Sequence, residues 1–219
     1  GFDWSEGPVW DARGRFLLFS DVPQNTVFRW KEGEQVSVFL KPSGYTGATP
    51  RGGEPGSNGL NHDPAKELAF NGVYRLKPNG ELTLLTKDMT RPNGIGLSPD
   101  EKTLYVANSD PDQAIWMAFP LKEDGTLGPG KVMHDATAEV KAHPEKGLPD
   151  GLKVDQKGNI FATAVNGVFV FAPDGTLLGK ILTYDKTANC GFGDDGSTLY
   201  LCTNDKLTRV KTTTKGLGF

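Results

Sequence analysis

Three residues that carry hard oxygen donors stand at matching places in a repeated phrase. Glu6 opens Glu6-Gly7-Pro8-Val9-Trp10, Asn93 lies in Pro92-Asn93-Gly94-Ile95-Gly96, and Asp150 lies in Pro149-Asp150-Gly151-Leu152. A fourth copy, Asn189-Cys190-Gly191-Phe192, puts Cys190 just before the glycine. Taken singly these are ordinary turn residues, since Asn-Gly and Asp-Gly are common turn dipeptides. Recurring at the head of a repeat, they gain a joint meaning. If the repeats surround an axis, Glu6, Asn93 and Asp150 meet as one metal site, and Cys190 supplies packing. Carboxylate and amide oxygens suit Ca2+, Mg2+ or Mn2+ better than soft metals, although Zn2+ also accepts carboxylates. Three protein ligands leave positions for water and substrate.

The elements that must position these residues follow from the same repetition, because self-similarity over tens of residues fixes the architecture before any local motif does. The unit reads as an inner segment, a turn, an apolar strand, and two further strands. The first comprises Pro8–Asp11, Phe16–Val22, Thr26–Trp30 and Val36–Leu40. A later one comprises Gly94–Leu97, Thr103–Asn108, Ala114–Phe119 and Lys131–His134, and the next Leu152–Val154, Asn159–Ala164, Val168–Phe171 and Leu177–Leu182. The last holds three segments, Cys190–Phe192, Thr198–Cys202 and Leu207–Lys211. Four antiparallel strands repeated radially predict an all-β chain, a β-propeller of four-stranded antiparallel blades forming one domain over residues 1–219. Its composition agrees: 28 glycines and 15 prolines among Thr, Val, Phe and Tyr describe short strands joined by tight turns.

The second unit departs from this pattern. Ser57-Asn58-Gly59-Leu60 reads as an inner segment, and Gly72–Leu76 with Leu82–Thr86 read as two outer strands, but only Glu67–Phe70 remains between them. Asn58 to Asn93 spans 35 positions, against 52 from Glu6 to Asn58 and 57 from Asn93 to Asp150, so this unit is truncated or spliced. Closure is incomplete too. Gly1–Ser5 is short for the strand the last unit lacks, which leaves an open edge and a surface for homo-oligomers.

Bulk properties narrow the partners. A formal charge of −3 with mixed signs offers no basic stripe for nucleic acid. No run of eighteen apolar residues predicts a membrane span. A start at Gly1 rather than Met fits a soluble protein that is either cytoplasmic or exported with its signal removed, and the compartment stays open. Cys190 and Cys202 read as buried free thiols, with a disulfide between neighbouring strands as the alternative. His62, His134 and His143 form no metal-binding pair and fall in loop-like segments, which predicts exposed side chains. Tyr45–Ser57 is a surface loop or a lid over the axial pocket. Trp4, Trp10, Trp30 and Trp116 are expected to fill space between blades.

These phrases, together with Leu18-Phe19-Ser20-Asp21, Leu104-Tyr105-Val106-Ala107-Asn108-Ser109 and Cys190-Gly191-Phe192-Gly193, resemble the SMP-30/gluconolactonase/LRE-like family of six-bladed propellers. The resemblance covers almost the whole chain. It implies that Glu6, Asn93 and Asp150 bind one divalent cation, Ca2+ foremost. The family has a further blade, opening with an Asn-Asp pair, whose asparagine and a nearby arginine help bind substrate. That blade has no counterpart between Leu60 and Asn61, so this chain is either a five-bladed relative or lacks part of the protein. Asn58, at the head of an inner segment, is the natural substitute for the lost asparagine. His143-Pro144 precedes the Asp150 loop, where His143 could sit at the mouth of the site and assist proton transfer.

The expected function is metal-dependent hydrolysis of a sugar lactone or similar small cyclic ester. Asp150 serves both as metal ligand and as general base, and Asn58 and His143 contact substrate. A non-catalytic ligand- or protein-binding propeller is the alternative, with a structural metal or none. A phosphotriesterase-like hydrolase is the third reading.

Overall fold

The computed structural model describes residues 1–43, 46, 70–77 and 79–219. Asn58, His62, the Tyr45–Ser57 segment and the head of the second unit lie outside the described residues. Among the described residues seventeen strands form five antiparallel sheets. The first sheet holds β1 (Ser5–Asp11), β2 (Phe16–Asp21), β3 (Thr26–Trp30) and β4 (Ser37–Leu40), in that order. The second holds only β5 (Val73–Leu76) and β6 (Leu82–Thr86). The third runs β7 (Pro92–Leu97), β8 (Thr103–Asn108), β9 (Ile115–Pro120) and β10 (Lys131–Asp135). The fourth runs β11 (Leu152–Val154), β12 (Ile160–Ala164), β13 (Gly167–Phe171) and β14 (Leu177–Leu182). The fifth has three strands, β15 (Thr187–Gly193), β16 (Thr198–Thr203) and β17 (Lys206–Lys211). This is the propeller architecture expected, with three full blades, a three-stranded blade and the two outer strands of the second unit.

Burial grades across each sheet, and the sequence explains why. The second strands β8, β12 and β16 are buried almost throughout because neighbouring blades cover both their faces. Their sequences are therefore near-continuous apolar runs rather than alternating ones. The outer strands β4 and β14 are exposed along nearly their whole length.

Four apolar layers join consecutive blades. Leu17 and Phe19 of the first blade pack on Tyr200 and Cys202 of the fifth. Phe161 and Val168 of the fourth pack on Cys190, Phe192, Leu199 and Leu201 of the fifth. Trp116 of the third, wholly buried, meets Phe169 and Phe171 of the fourth at ring-centre distances of 5.6 and 5.2 Å. Val73 of the second packs with Leu104, Val106 and Phe119 of the third. Trp10 stacks on Tyr200 and Trp30 lies tilted against it, so both fill the space between the first and fifth blades as expected. Trp4 instead lies half-buried with the Lys186 ammonium 6.0 Å from its ring centre.

The chain ends close the ring without supplying a fourth strand to the last blade. Phe2 N–H donates to Asp205 O at 3.1 Å and Ser5 N–H to Asn204 O at 3.3 Å, so the first residues clasp the β16–β17 turn instead of lying along β17. At the other end Gln156 N–H donates to Lys215 O and Leu217 N–H to Val154 O, tying the C-terminal segment to the fourth blade. Among the described residues no strand pairs with the outer side of β17, in agreement with the open edge expected there.

The repeated glycines permit the inner strands to meet. A Cβ on Gly94 would overlap the Asp150 carbonyl, one on Gly151 would overlap the Asn189 carboxamide, and one on Gly191 would lie 2.6 Å from the Pro8 carbonyl oxygen. Gly179, on the outer strand β14, faces open space. Gly191→Ala is expected to lower stability by about 1–3 kcal/mol through this overlap, seen as a lower urea midpoint. Gly179→Ala should stay within about 0.5 kcal/mol of the parent, as surface changes do.

Candidate functional site

The residues singled out by the repeat sit where the inner strands depart from regular pairing. The β1–β2 register shifts between Glu6 and Val9, and the β7–β8 register between Pro92 and Ile95. Bulges of this kind re-aim a side chain and end regular pairing. Here they place Glu6 and Asn93 at irregular positions of strands that are otherwise straight. Asp150 precedes the regular part of β11. Its N–H donates to Thr163 O at 3.1 Å, and Gly151 N–H donates to Ala188 O of the fifth blade at 2.8 Å.

Each of the three has partners that define its setting. Glu6 is only 4% exposed, and a carboxylate buried that deeply requires polar partners. Gly7 N–H donates to Glu6 Oε2 at 2.9 Å and Asn189 Nδ2 donates to the same oxygen at 3.1 Å. Asn93 is exposed, and its Nδ2 donates to Ser109 Oγ at 3.0 Å. Ser109 in turn donates to the Pro149 carbonyl, the residue before Asp150. With its nitrogen engaged, Asn93 presents its oxygen as the acceptor end of the amide.

A chain of contacts thus links the three repeat heads. Asn93 reaches Pro149-Asp150 through Ser109, Gly94 lies against the Asp150 carbonyl, Gly151 lies against Asn189, and Asn189 reaches Glu6. The chemistry of these donors, two carboxylates and one amide oxygen, suits a hard divalent cation. Among the described residues no three His, Cys, Asp or Glu side chains gather as a metal-binding cluster, so the set depends on the amide of Asn93.

Three of these residues escaped the sequence reading. Asn189 was passed over because Cys190 occupies the position before the glycine. The β15–β16 register shifts between Thr187 and Asn189, earlier in the phrase than in the other copies. Asn189 therefore turns toward Glu6, while Cys190 is wholly buried with its thiol directed at Phe161 O, 3.5 Å away. Lys153, half-buried on β11, reaches Leu152 O at 3.0 Å and Asn189 Oδ1 at 3.3 Å. Ser109 ends the Leu104–Ser109 phrase, in which nothing local marks it as a partner of Asn93. Only its position, at the end of a second strand beside an inner strand, could have signalled it.

The histidines divide. His143 is exposed between a short helix, α1 (Thr137–Ala142), and a 3-10 turn at Pro144–Lys146, both in the connection leading to Asp150. His134 lies on β10, the strand that the Lys131–His134 segment predicts, and corrects the expectation of an exposed, loop-like histidine. It pairs with Trp116 across β9 and β10 and is half-buried, its ring 5.0 Å from that of Phe171. Burial, reinforced by the Lys180 ammonium, holds its pKa below the usual imidazole value. Its apolar neighbours Val132 and Met133 make the segment a strand, and the fourth blade covers it.

Five antiparallel sheets of propeller type among the described residues, with polar residues at the heads of inner strands, define the class of protein. The SMP-30/gluconolactonase/LRE-like family model matches residues 53–205, and the chain belongs to that family. It is 34% identical to the gluconolactonase of Zymomonas mobilis, over 97% of this chain and 80% of that protein. It is 26% identical to the regucalcin of Bos taurus, over 92% of this chain and 84% of that protein. The solved gluconolactonase of Xanthomonas campestris superposes with a TM-score of 0.78 at 27% identity, covering 96% of this chain and 86% of that one. The match to the Zymomonas protein extends over 284 residues whereas this chain has 219, so the relative carries tens of residues without a counterpart here. That agrees with the loss of about one blade.

Both cysteines are free. Burial pushes the Cys190 thiol up to about 11 and raises that of Cys202 as well, the nearby Glu6 carboxylate adding to the latter. Neither thiol should react with a disulfide reagent at pH 8 in the folded protein, and both should react once it is unfolded. Because the unfolded chain loses these protons first, the stability they contribute is full below the unfolded thiol pKa near 9. It should fall as pH rises toward about 11.

Proposed function

We propose that this protein hydrolyses a sugar lactone or a similar small cyclic ester, with a divalent cation held by Glu6, Asn93 and Asp150. The observation that supports the reading is the pair of contacts that run from Asn93 through Ser109 to the Pro149 carbonyl beside Asp150, and from Asn189 to Glu6, in a chain 34% identical to a gluconolactonase. Ca2+ is the first candidate, since the donors are all oxygens and relatives bear the name regucalcin. The bound cation would supply Lewis-acid polarisation of the lactone carbonyl and acidify a water.

The chain's own residues supply the rest. Asp150, half-buried beside Thr163 and Ala188, takes the proton from water as its oxygen adds to the carbonyl carbon. The ring C–O bond then breaks, the ring oxygen takes the proton back from Asp150, and the hydroxy acid leaves and gives its carboxyl proton to solvent. Asn58 orients the substrate, and the exposed His143 stands in the connection before Asp150, where it can pass protons to solvent. Ser109 keeps the Asn93 amide from rotating.

The tens of residues absent relative to the Zymomonas protein favour a second reading, a propeller that binds ligand without turnover. The two part on one measurement. Gluconolactone hydrolysis, followed by acid release, should stop on chelation and return on adding Ca2+. Asp150→Asn should lower kcat by about 100-fold or more, the scale for loss of a general base, with the melting temperature in chelator preserved. Cation binding with no hydrolysis in the parent would select the non-catalytic reading. Asn58→Ala should raise KM more than it lowers kcat.

A further inference from the structure

We propose that Asn189 is a positioning residue for Glu6: its amide, locked at the oxygen end, holds the Glu6 carboxylate in the plane in which a cation meets it. The proposal rests on the reading of Glu6, Asn93 and Asp150 as a cation site. An asparagine at the head of the fifth blade looks at first like a fourth ligand, but its hydrogen bonds exclude that role. Asn189 Oδ1 accepts from Cys190 N–H at 2.9 Å and from Lys153 Nζ at 3.3 Å. Backbone N–H and ammonium groups can only donate, so the atom facing them must be the amide oxygen. The amide nitrogen consequently faces Glu6 Oε2, 3.1 Å away.

The two asparagines at repeat heads are therefore engaged at opposite ends. Ser109 takes the nitrogen of Asn93, whereas Cys190 N–H and Lys153 take the oxygen of Asn189. Asn93 presents an oxygen, and Asn189 presents a donor to a carboxylate. Gly7 N–H meets the same Oε2 at 2.9 Å, so two donors converge on one oxygen and fix the carboxylate plane. The Lys153 ammonium polarises the Asn189 amide and strengthens its N–H as a donor. Gly151 secures the arrangement sterically, because any side chain there would displace the Asn189 carboxamide. Hydrogen bonds to a ligating carboxylate orient it, and losing such a partner lowers metal affinity by about 10–100-fold.

The test is calorimetric titration of Ca2+ into the chelator-stripped full chain, with melting temperatures measured in chelator. Asn189→Leu keeps the volume and removes both hydrogen-bonding ends; Asn189→Ala covers the case in which leucine crowds Gly151. Either variant should bind Ca2+ about 10–100-fold more weakly while melting within a few degrees of the parent. Because Asn189 acts through Glu6, the Glu6→Gln/Asn189→Ala double variant should bind no more weakly than Glu6→Gln alone. Unchanged affinity in both single variants, a further loss in the double variant, or a loss matched by a collapse of the melting temperature would each overturn the proposal. If the parent itself binds no Ca2+, the cation reading falls with it. Binding by the parent with unaltered variants sinks the Asn189 role alone.

Discussion

The inner strands of neighbouring blades run so close together that at positions 94, 151 and 191 only hydrogen fits beside the α-carbon. This crowding sets the radius at which blades meet, and much else depends on it. The backbone of one blade can then donate directly to the next, as Gly151 does to Ala188. Register shifts at Glu6 and Asn93 free these two residues from the sheet's regular alternation, while Cys190, the residue before Gly191, is packed between blades. The same phrase that brings the blades together thus also carries the polar residues of the proposed site.

Placing polar groups in that space raises a second requirement, since buried charge is costly unless hydrogen-bonded. Glu6 meets it through Gly7 and Asn189, Asn93 through Ser109, and the Asp150 segment through Thr163. Thr163 shows how the load is shared. Its hydroxyl lies 3.0 Å from Gly151 O and 2.9 Å from Ala188 O, beside inner strands of two blades. The scaffold next to the candidate site is consequently held by hydrogen bonds between blades, while the apolar layers further out supply cohesion.

Asymmetry is concentrated in two places. The fifth blade has three strands, and the N-terminal residues clasp its β16–β17 turn instead of completing it. The second unit contributes two outer strands among the described residues, where the other blades show three or four. The match to the Zymomonas protein extends over 284 residues against 219 in this chain, so that relative carries tens of residues without a counterpart here. The fold accommodates the loss because each blade packs chiefly on its immediate neighbours, as in other radially repeated architectures.

The sequence by itself determined the elements and their grouping. Thr26–Trp30, Leu82–Thr86, Thr103–Asn108, Leu152–Val154 and Leu177–Leu182 are strands with the bounds their patterns predict, because apolar runs broken by Gly, Asn and Asp encode strand and turn locally. It also determined which residues head the repeats. The helix at Thr137–Ala142 was not legible, being six residues held by one buried valine, and neither was the burial of His134 against the fourth blade. Only the tertiary structure decided that Asn189 and not Cys190 turns toward Glu6. It alone brought Ser109 to Asn93, and Lys153 to Asn189. Those outcomes depend on where a bulge shifts the register and on how closely two blades approach, and both are settled by packing between segments distant in sequence.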